Sequence, residues 1–383
     1  MDSAAAPSPR HVAVDCRFFL GDRPCIWHKR DGARCTCGHY DAIAERLLVI
    51  KLDAMGDVLR TTALLAPLKL NYLGSYITWM TRAESIPLLE CNPFIDEIVV
   101  YGTDAIVLLQ SREFDRVINL DAGRISAGLA TSARAQTKHG YVLDSQGIVH
   151  ATNAAAQRWL EMGLFDDLKR RGMDTYQHYM TDILGLASPA RLPVLVLSEE
   201  ERARARQHLL RLGVDPTRPL IGLNTGAGGR WPLKQWREDR YLELIDRLSD
   251  ELEAQCVLLG GPSEQERHAR LKAQSRRSVI DTGCDNPVRH FSGLVGECHV
   301  VVTGDTLAMH IALALGRRVV VLFGPTSAAE IELCDLGEKV LPDMPCLGCY
   351  KQACDFIPNC MDAINTDSVV AAVRRQWRQR LSP

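Results

Sequence analysis

The chain has 383 residues, 46% of them hydrophobic and 24% charged, with a formal net charge of −2. That length exceeds what one hydrophobic core usually spans, so two domains are expected of an otherwise ordinary globular composition. Near-neutral charge gives no footing for nucleic-acid binding, no apolar run approaches the roughly 20 residues of a membrane helix, and Met1–Arg10 lacks an export-signal layout, which points to the cytoplasm.

The chain opens on a polar extension, residues 1–44, carrying Cys16, Cys25, Cys35 and Cys37 with His28 and His39 among them. Thirteen cysteines without an export signal argue for metal ligands or buried thiols rather than disulfides. A segment with so little apolar content folds more readily around a metal than alone.

From Arg46 the pattern is strand, then helix, repeated: Leu47–Lys51, a glycine turn, a helix to about Leu70, Tyr76–Met80, then strands at Glu97–Tyr101 and Arg116–Leu120. Such alternation marks a parallel sheet with helices on both faces. Residues 150–187 read as irregular helix, and the two prolines of Ala187–Pro193 mark a boundary. The second half restarts the rhythm with strands at Leu220–Asn224, Cys256–Gly260, His299–Thr303 and Val319–Phe323, with helices at about 234–250, 263–275 and 306–315. A last helix, about Thr366 to Arg380, closes the chain. Two such halves form a cleft at the carboxyl ends of their strands, where open α/β sheets bind ligands.

Two turns carry chemistry. After the first strand, Lys51 to Leu65 brings a glycine turn and two acids; Asp53 reads as a helix N-cap, while Asp57 suits either an N-cap or a general base at the mouth of a cleft. In the second half, Val302 to Gly316 and Arg318 to Thr326 set two strand ends around one helix N-terminus. Unpaired N–H groups, the helix dipole and the hydroxyls of Thr306 and Thr326 suit an anion there.

With Lys51–Thr62, Asn224–Pro232, Gly260–Glu264 and the Asp305/Gly324 pair in this order, residues 45 to 365 resemble glycosyltransferase family 9, the heptosyltransferases. The resemblance implies a GT-B fold: two Rossmann-like domains facing a central cleft, residues 45–188 for the acceptor and 189–365 for the nucleotide sugar, with 366–383 as closing helix. It implies inverting transfer of a heptose from ADP-heptose to an acceptor hydroxyl, with no metal at the reaction centre. Asp57 matches the family's base, with Lys51, Gly56 and Arg60 beside it on the acceptor side. Thr225, Gly226, Glu264, Asp305, Thr306, Leu307, His310, Gly324 and Thr326 fall on the donor side. Leu307 stands where the family commonly has glycine, and His310, one turn into an apolar helix, also suits a structural role. Arg230 stands where relatives carry a basic residue that neutralises the leaving diphosphate, and Lys234, in the first turn of the next helix, suits the same work.

Cys346, Cys349, Cys354 and Cys360 are spaced for one tetrahedral thiolate site, and family members often have cysteines there. Zinc is the first choice for both cysteine groups and an iron–sulfur cluster the second, since all-cysteine ligation serves both. A closing helix returning to the first domain would bring the groups together. The expected partners are a nucleotide-sugar donor and an acceptor glycan, protein or metabolite, with peripheral membrane contact open. The rival readings are a metal-binding sensor or scaffold on a transferase fold, and a nucleotide-sugar epimerase or hydrolase.

Overall fold

The computed structural model describes residues 12–189, 192–228 and 232–380. Its strands are β1 (Glu45–Ile50), β2 (Ser75–Thr81), β3 (Glu97–Val100), β4 (Glu113–Asn119), β5 (Arg134–Leu143), β6 (Val149–Ala151), β7 (Leu220–Asn224), β8 (Gln255–Leu259), β9 (Val279–Asp281), β10 (Val300–Gly304), β11 (Arg318–Leu322) and β12 (Gly337–Val340). They form two six-stranded sheets, ordered β3-β2-β1-β4-β5-β6 and β12-β11-β10-β7-β8-β9. All pairs are parallel except β5 with β6.

The central strands are apolar runs because helices cover both faces, so alternate side chains enter different cores. Leu47 and Val49 pack under Trp79 and Tyr141, whereas Leu48 and Ile50 pack on the other face with Met80 and Phe114. In the second sheet Val300 and Val302 face one core, and Val301 faces the other with Met309 and Phe323.

Two expectations are corrected. The closing helix Thr366–Arg380 does not return to the first sheet: Val369, Val370, Ala372 and Val373 are buried in the core of the second, and Arg374 and Arg375 pair with Glu251 and Glu338. The helix expected from 234 begins at Glu238, which leaves Lys234 in the short turn Pro232–Lys234 before it.

The N-terminal extension is fastened to the base of the first sheet. Cys16 bridges Ala42, Ala44 N–H donates to Gly74 O (3.0 Å), and Arg17 pairs with Asp41 and Asp96 while donating to Ser75 O at the start of β2. The second cysteine group follows β12, with Gly348 against Ser327 and Arg170 past the carboxyl end of β11. The first group thus sits at the strand starts of the first sheet and the second beside Ser327 and Glu330, and the two do not share one site.

Candidate active site

β1 runs out at Ile50, and the helix Met55–Thr61 starts from the turn that follows. Asp57 lies in its first turn, where its carboxylate accepts from Ala54 N–H (3.3 Å) and pairs with Arg60 (2.7 Å). Asp57 is therefore not the N-cap, which is Ala54, but the third helical residue, whose side chain closes back on the helix start while 37% of it stays exposed. Burial alone would raise its pKa, but Arg60, then Lys51 and His310, hold the carboxyl well below the usual range, so it is ionised at all working pH. The Arg60 guanidinium is seated on the Tyr176 ring, 3.7 Å from its centroid, and the Tyr176 hydroxyl meets Thr61 Oγ1 at 2.6 Å. Lys51 is buried in an ion pair with Asp121, whose other oxygen accepts from Leu52 N–H (2.6 Å). Asp53 instead faces outward to Arg82.

Across the cleft, Thr306 is the N-cap of the helix Leu307–Ala314, which lies between β10 and β11. Asp305 is held ionised despite burial by Lys234, whose Nζ donates to its carbonyl and its carboxylate, both at 2.8 Å. An ammonium has three donors, so one remains for a ligand. Asn224 Nδ2 ties Thr303, Thr306 and the Gly226 carbonyl together at 3.0–3.3 Å. Glu264 accepts from Gly261 N–H (2.9 Å) and lies flat against Gly226, where a Cβ would come within 2.7 Å of its carboxyl carbon. Glycine at 226 is thus what lets the acid reach the turn. Gly226, Gly228, Gly260, Gly261, Glu264 and the first turn Thr306–Ala308 line a cavity of about 430 Å³ that Met55 of the first half closes on one side. That is the size of a small-ligand site.

The halves meet at Gly56. A Cβ there would lie 3.1 Å from His310 Cδ2 and 3.8 Å from Leu307 Cα, so a bare backbone is needed for the two helix starts to approach. His310 is buried at this contact, and burial, then Arg60, pushes its imidazole down to about 4, which keeps it neutral. Glu330 completes the cluster: burial raises its carboxyl, Lys169 and Arg60 oppose that, and its backbone oxygen accepts from Tyr176 N–H of the first half (2.9 Å). Asp57, Arg60, Asp305 and His310 therefore sit in one field.

A model of glycosyltransferase family 9 (heptosyltransferase) matches residues 106–356, which is most of the chain. This chain belongs to glycosyltransferase family 9. It is 26% identical over 310 residues to lipopolysaccharide heptosyltransferase 2 of Escherichia coli K12, covering 74% of this chain and 83% of that one. Among solved structures it resembles a family 9 glycosyltransferase of Veillonella parvula (TM-score 0.68, 21% identity, 88% and 98% covered) and ADP-heptose lipopolysaccharide heptosyltransferase II of E. coli (TM-score 0.66, 22%, 88% and 100%). The fold expected from the motifs is thereby shown to be that of GT-B enzymes. As a member of this family the protein is a glycosyltransferase. Among the described residues no helix is long and apolar enough to cross a membrane.

Several residues of this family 9 enzyme are placed differently from their expected use. The Thr225 hydroxyl is bonded to buried His268 Nε2 (3.0 Å), and Gly324 faces the Cys360 thiol and Met361, so it accommodates the cysteine loop. Thr326 is buried just past the end of β11. Arg230 lies outside the described residues. Missed altogether were Asp121, Tyr176 and Glu330, which come from separate stretches and share no motif, and the group His268, Asp281 and Cys284. Among the described residues this is the one set of three or more metal-type ligand atoms all within 4.8 Å. Its imidazole is already committed on both sides, Nε2 to Thr225 and Nδ1 to Asp281 and Cys284, so it works as a hydrogen-bond relay that fixes Thr225.

Neither four-cysteine group is drawn in to that spacing. Within the C-terminal group, the Cys360 thiol is pushed up to about 11 by burial and then by Cys349, with Cys354 and Cys346 adding to it.

Proposed function

We propose that this enzyme transfers a heptose, with inversion, from ADP-heptose to an acceptor hydroxyl in lipopolysaccharide biosynthesis, with Asp57 as general base. The observation that carries the reading is an ionised carboxylate open to the cleft, across a tight helix contact from a cavity capped by a helix N-terminus. The acceptor oxygen attacks the anomeric carbon from the face opposite the diphosphate. Its proton passes to Asp57 as the bond from that carbon to the diphosphate oxygen breaks.

The charge left on ADP is met by the first-turn N–H groups of Leu307–Ala314 and by the spare donor of Lys234, so the reaction centre works without a metal ion. Arg60 spreads positive charge between Asp57 and Asp305 and anchors the base. Glu264, at the far wall of the cavity, suits a ribose hydroxyl. Residues 45–188 then serve the acceptor and 189–365 the nucleotide sugar, in the cytoplasm or at a membrane surface where a lipid-linked acceptor is met. Cys346, Cys349, Cys354 and Cys360 suit a structural metal site, zinc in the first instance, that pins the loop behind Gly324.

Calorimetry with ADP, UDP and GDP, followed by product analysis with ADP-heptose and heptose-deficient lipopolysaccharide, tests this. Preference for ADP and a new glycoside support it. Free or epimerised sugar as the main product would place the protein with the epimerase or hydrolase reading instead.

A further inference from the structure

The loop from Cys346 to Cys360 sends one side chain into the joint between the two halves. Its backbone is pinned past the end of β11, where Gly348 N–H donates to Gly324 O (3.0 Å) and Tyr350 N–H to Pro325 O (2.8 Å). Tyr350 itself stands at φ +54°, in the left-handed region that a bulky side chain rarely enters. Strain of this kind persists only where the surroundings fix it, and it gathers at functional sites. The other end of the side chain shows what the strain achieves. The Tyr350 hydroxyl accepts from Ser327 N–H (3.0 Å) and donates to Glu330 Oε1 (3.3 Å), while the Lys169 ammonium of the first half lies over its ring, 3.9 Å from the centroid. Lys169 is also 3.8 Å from Glu330 Oε1. A carboxyl group only 6% exposed is thus held by one partner from each half.

Glu330 in turn steadies the neighbours of Asp57. Its backbone oxygen accepts from Tyr176 N–H, the first N–H of the helix Tyr176–Leu184 and one of the helix-start donors that have no partner within their own helix. Buried Tyr176 grips the Asp57 helix at two points. The Arg60 guanidinium rests on its ring, and its hydroxyl meets Thr61 Oγ1, which itself donates to the Asp57 carbonyl (2.6 Å). Tyr350, Glu330, Tyr176 and Arg60 therefore form one unbroken series of contacts that ends at the Asp57 carboxylate.

We propose that Tyr350 is a positioning residue for the reaction: presented by the four-cysteine loop, it fixes Glu330 and, through it, the Tyr176 seat that aims Arg60 and Asp57 across the cleft. It acts through these neighbours and not on the substrate. This role rests on Asp57 acting as the base proposed above.

The test is a double-mutant cycle in the full chain, read as kcat for ADP release with heptose-deficient lipopolysaccharide, beside ADP affinity by calorimetry. Tyr350→Phe keeps the ring under Lys169 and removes the hydroxyl. Its kcat should fall roughly tenfold, as a displaced base implies, with ADP affinity within about twofold, since Thr306 and Lys234 are untouched. In an Asp57→Asn background the same change should cost less than about twofold, because no base is left to misplace. Glu330→Gln keeps an oxygen to accept from Tyr350 and should retain most of kcat. Lys351→Gln, an exposed neighbour in the same loop paired with Asp355, should leave kcat unchanged. Parental kcat in Tyr350→Phe would overturn the proposal, as would an equal loss in both backgrounds, which marks a general weakening of the fold; either result leaves Asp57 as the base. Parental kcat in Asp57→Asn alone would instead remove the base, and the role of Tyr350 with it.

Discussion

Replacing Asp57 by Asn separates chemistry from architecture, because the amide keeps the size of the side chain and one oxygen for Ala54 N–H but has no basicity. Positioned general bases contribute about 10²- to 10⁴-fold, or about 2.7–5.5 kcal/mol of barrier, and kcat should fall by that factor. The fold should notice far less. Asp57 is 37% exposed, so its pair with Arg60 lies nearer the surface value of about 0–1 kcal/mol than the 3–5 kcal/mol of a sealed pair, and the guanidinium keeps its seat on Tyr176. The assay is ADP release from ADP-heptose with heptose-deficient lipopolysaccharide, beside ADP affinity by calorimetry. Affinity should stay within about twofold, since the donor is held by the other half. Asp53→Asn is the internal control: 59% exposed and tied only to Arg82, it should leave kcat unchanged. A D57N enzyme retaining more than about a tenth of parental kcat would show that proton transfer to this carboxylate is not what the geometry is for.

Three further outcomes follow from the same contacts. Gly56→Ala puts a methyl 3.1 Å from His310 Cδ2; overpacking of about 1–3 kcal/mol should lower Tm and activity together, and adding His310→Ala should restore Tm, as read by thermal melts. Depression of the His310 pKa from 6.5 to about 4 means the unfolded chain takes up a proton that the fold refuses. Stability should therefore fall as pH drops from about 6.5 to 4, by about 3 kcal/mol at full titration, and His310→Gln should flatten that limb in a pH series of Tm. Lys234→Met leaves Asp305 buried without its partner, so stability should drop by about 3 kcal/mol and ADP binding weaken by tenfold or more, while Lys234→Arg retains most of both; unchanged ADP affinity in the Met variant would remove Lys234 from the donor site.

Much of this was legible in the chain because the central strands are buried on both faces and therefore read as unbroken apolar runs: β1, β2, β7, β10 and β11 all announce themselves. The strands that did not are at or near the sheet margins. β5 carries Arg134, Gln136 and Lys138, and β12 reads Gly-Glu-Lys-Val, since edges stay polar to discourage further pairing. In the site, residues just past a strand end were findable from turn chemistry, as with Asp57 and Asp305. Lys51 was found, but its partner Asp121 follows a different strand, and Tyr176 and Glu330 come from loops and helices with no local signature. Long-range pairing of this kind leaves no trace in spacing. The closing helix was placed on the wrong half by analogy, although its buried Val369, Val370 and Val373 suit the second core.

The contact between Gly56 and His310 also behaves as a mechanical stop. Linkers and surface ion pairs give way by ångströms, but two helix starts in van der Waals contact do not. The span from the Asp57 carboxylate to Thr306 across the cleft is thus gauged by atomic radii rather than by the length of the connection between the halves. A lengthened connection would alter how often the halves come together while leaving unchanged the distance over which the sugar has to travel once they have.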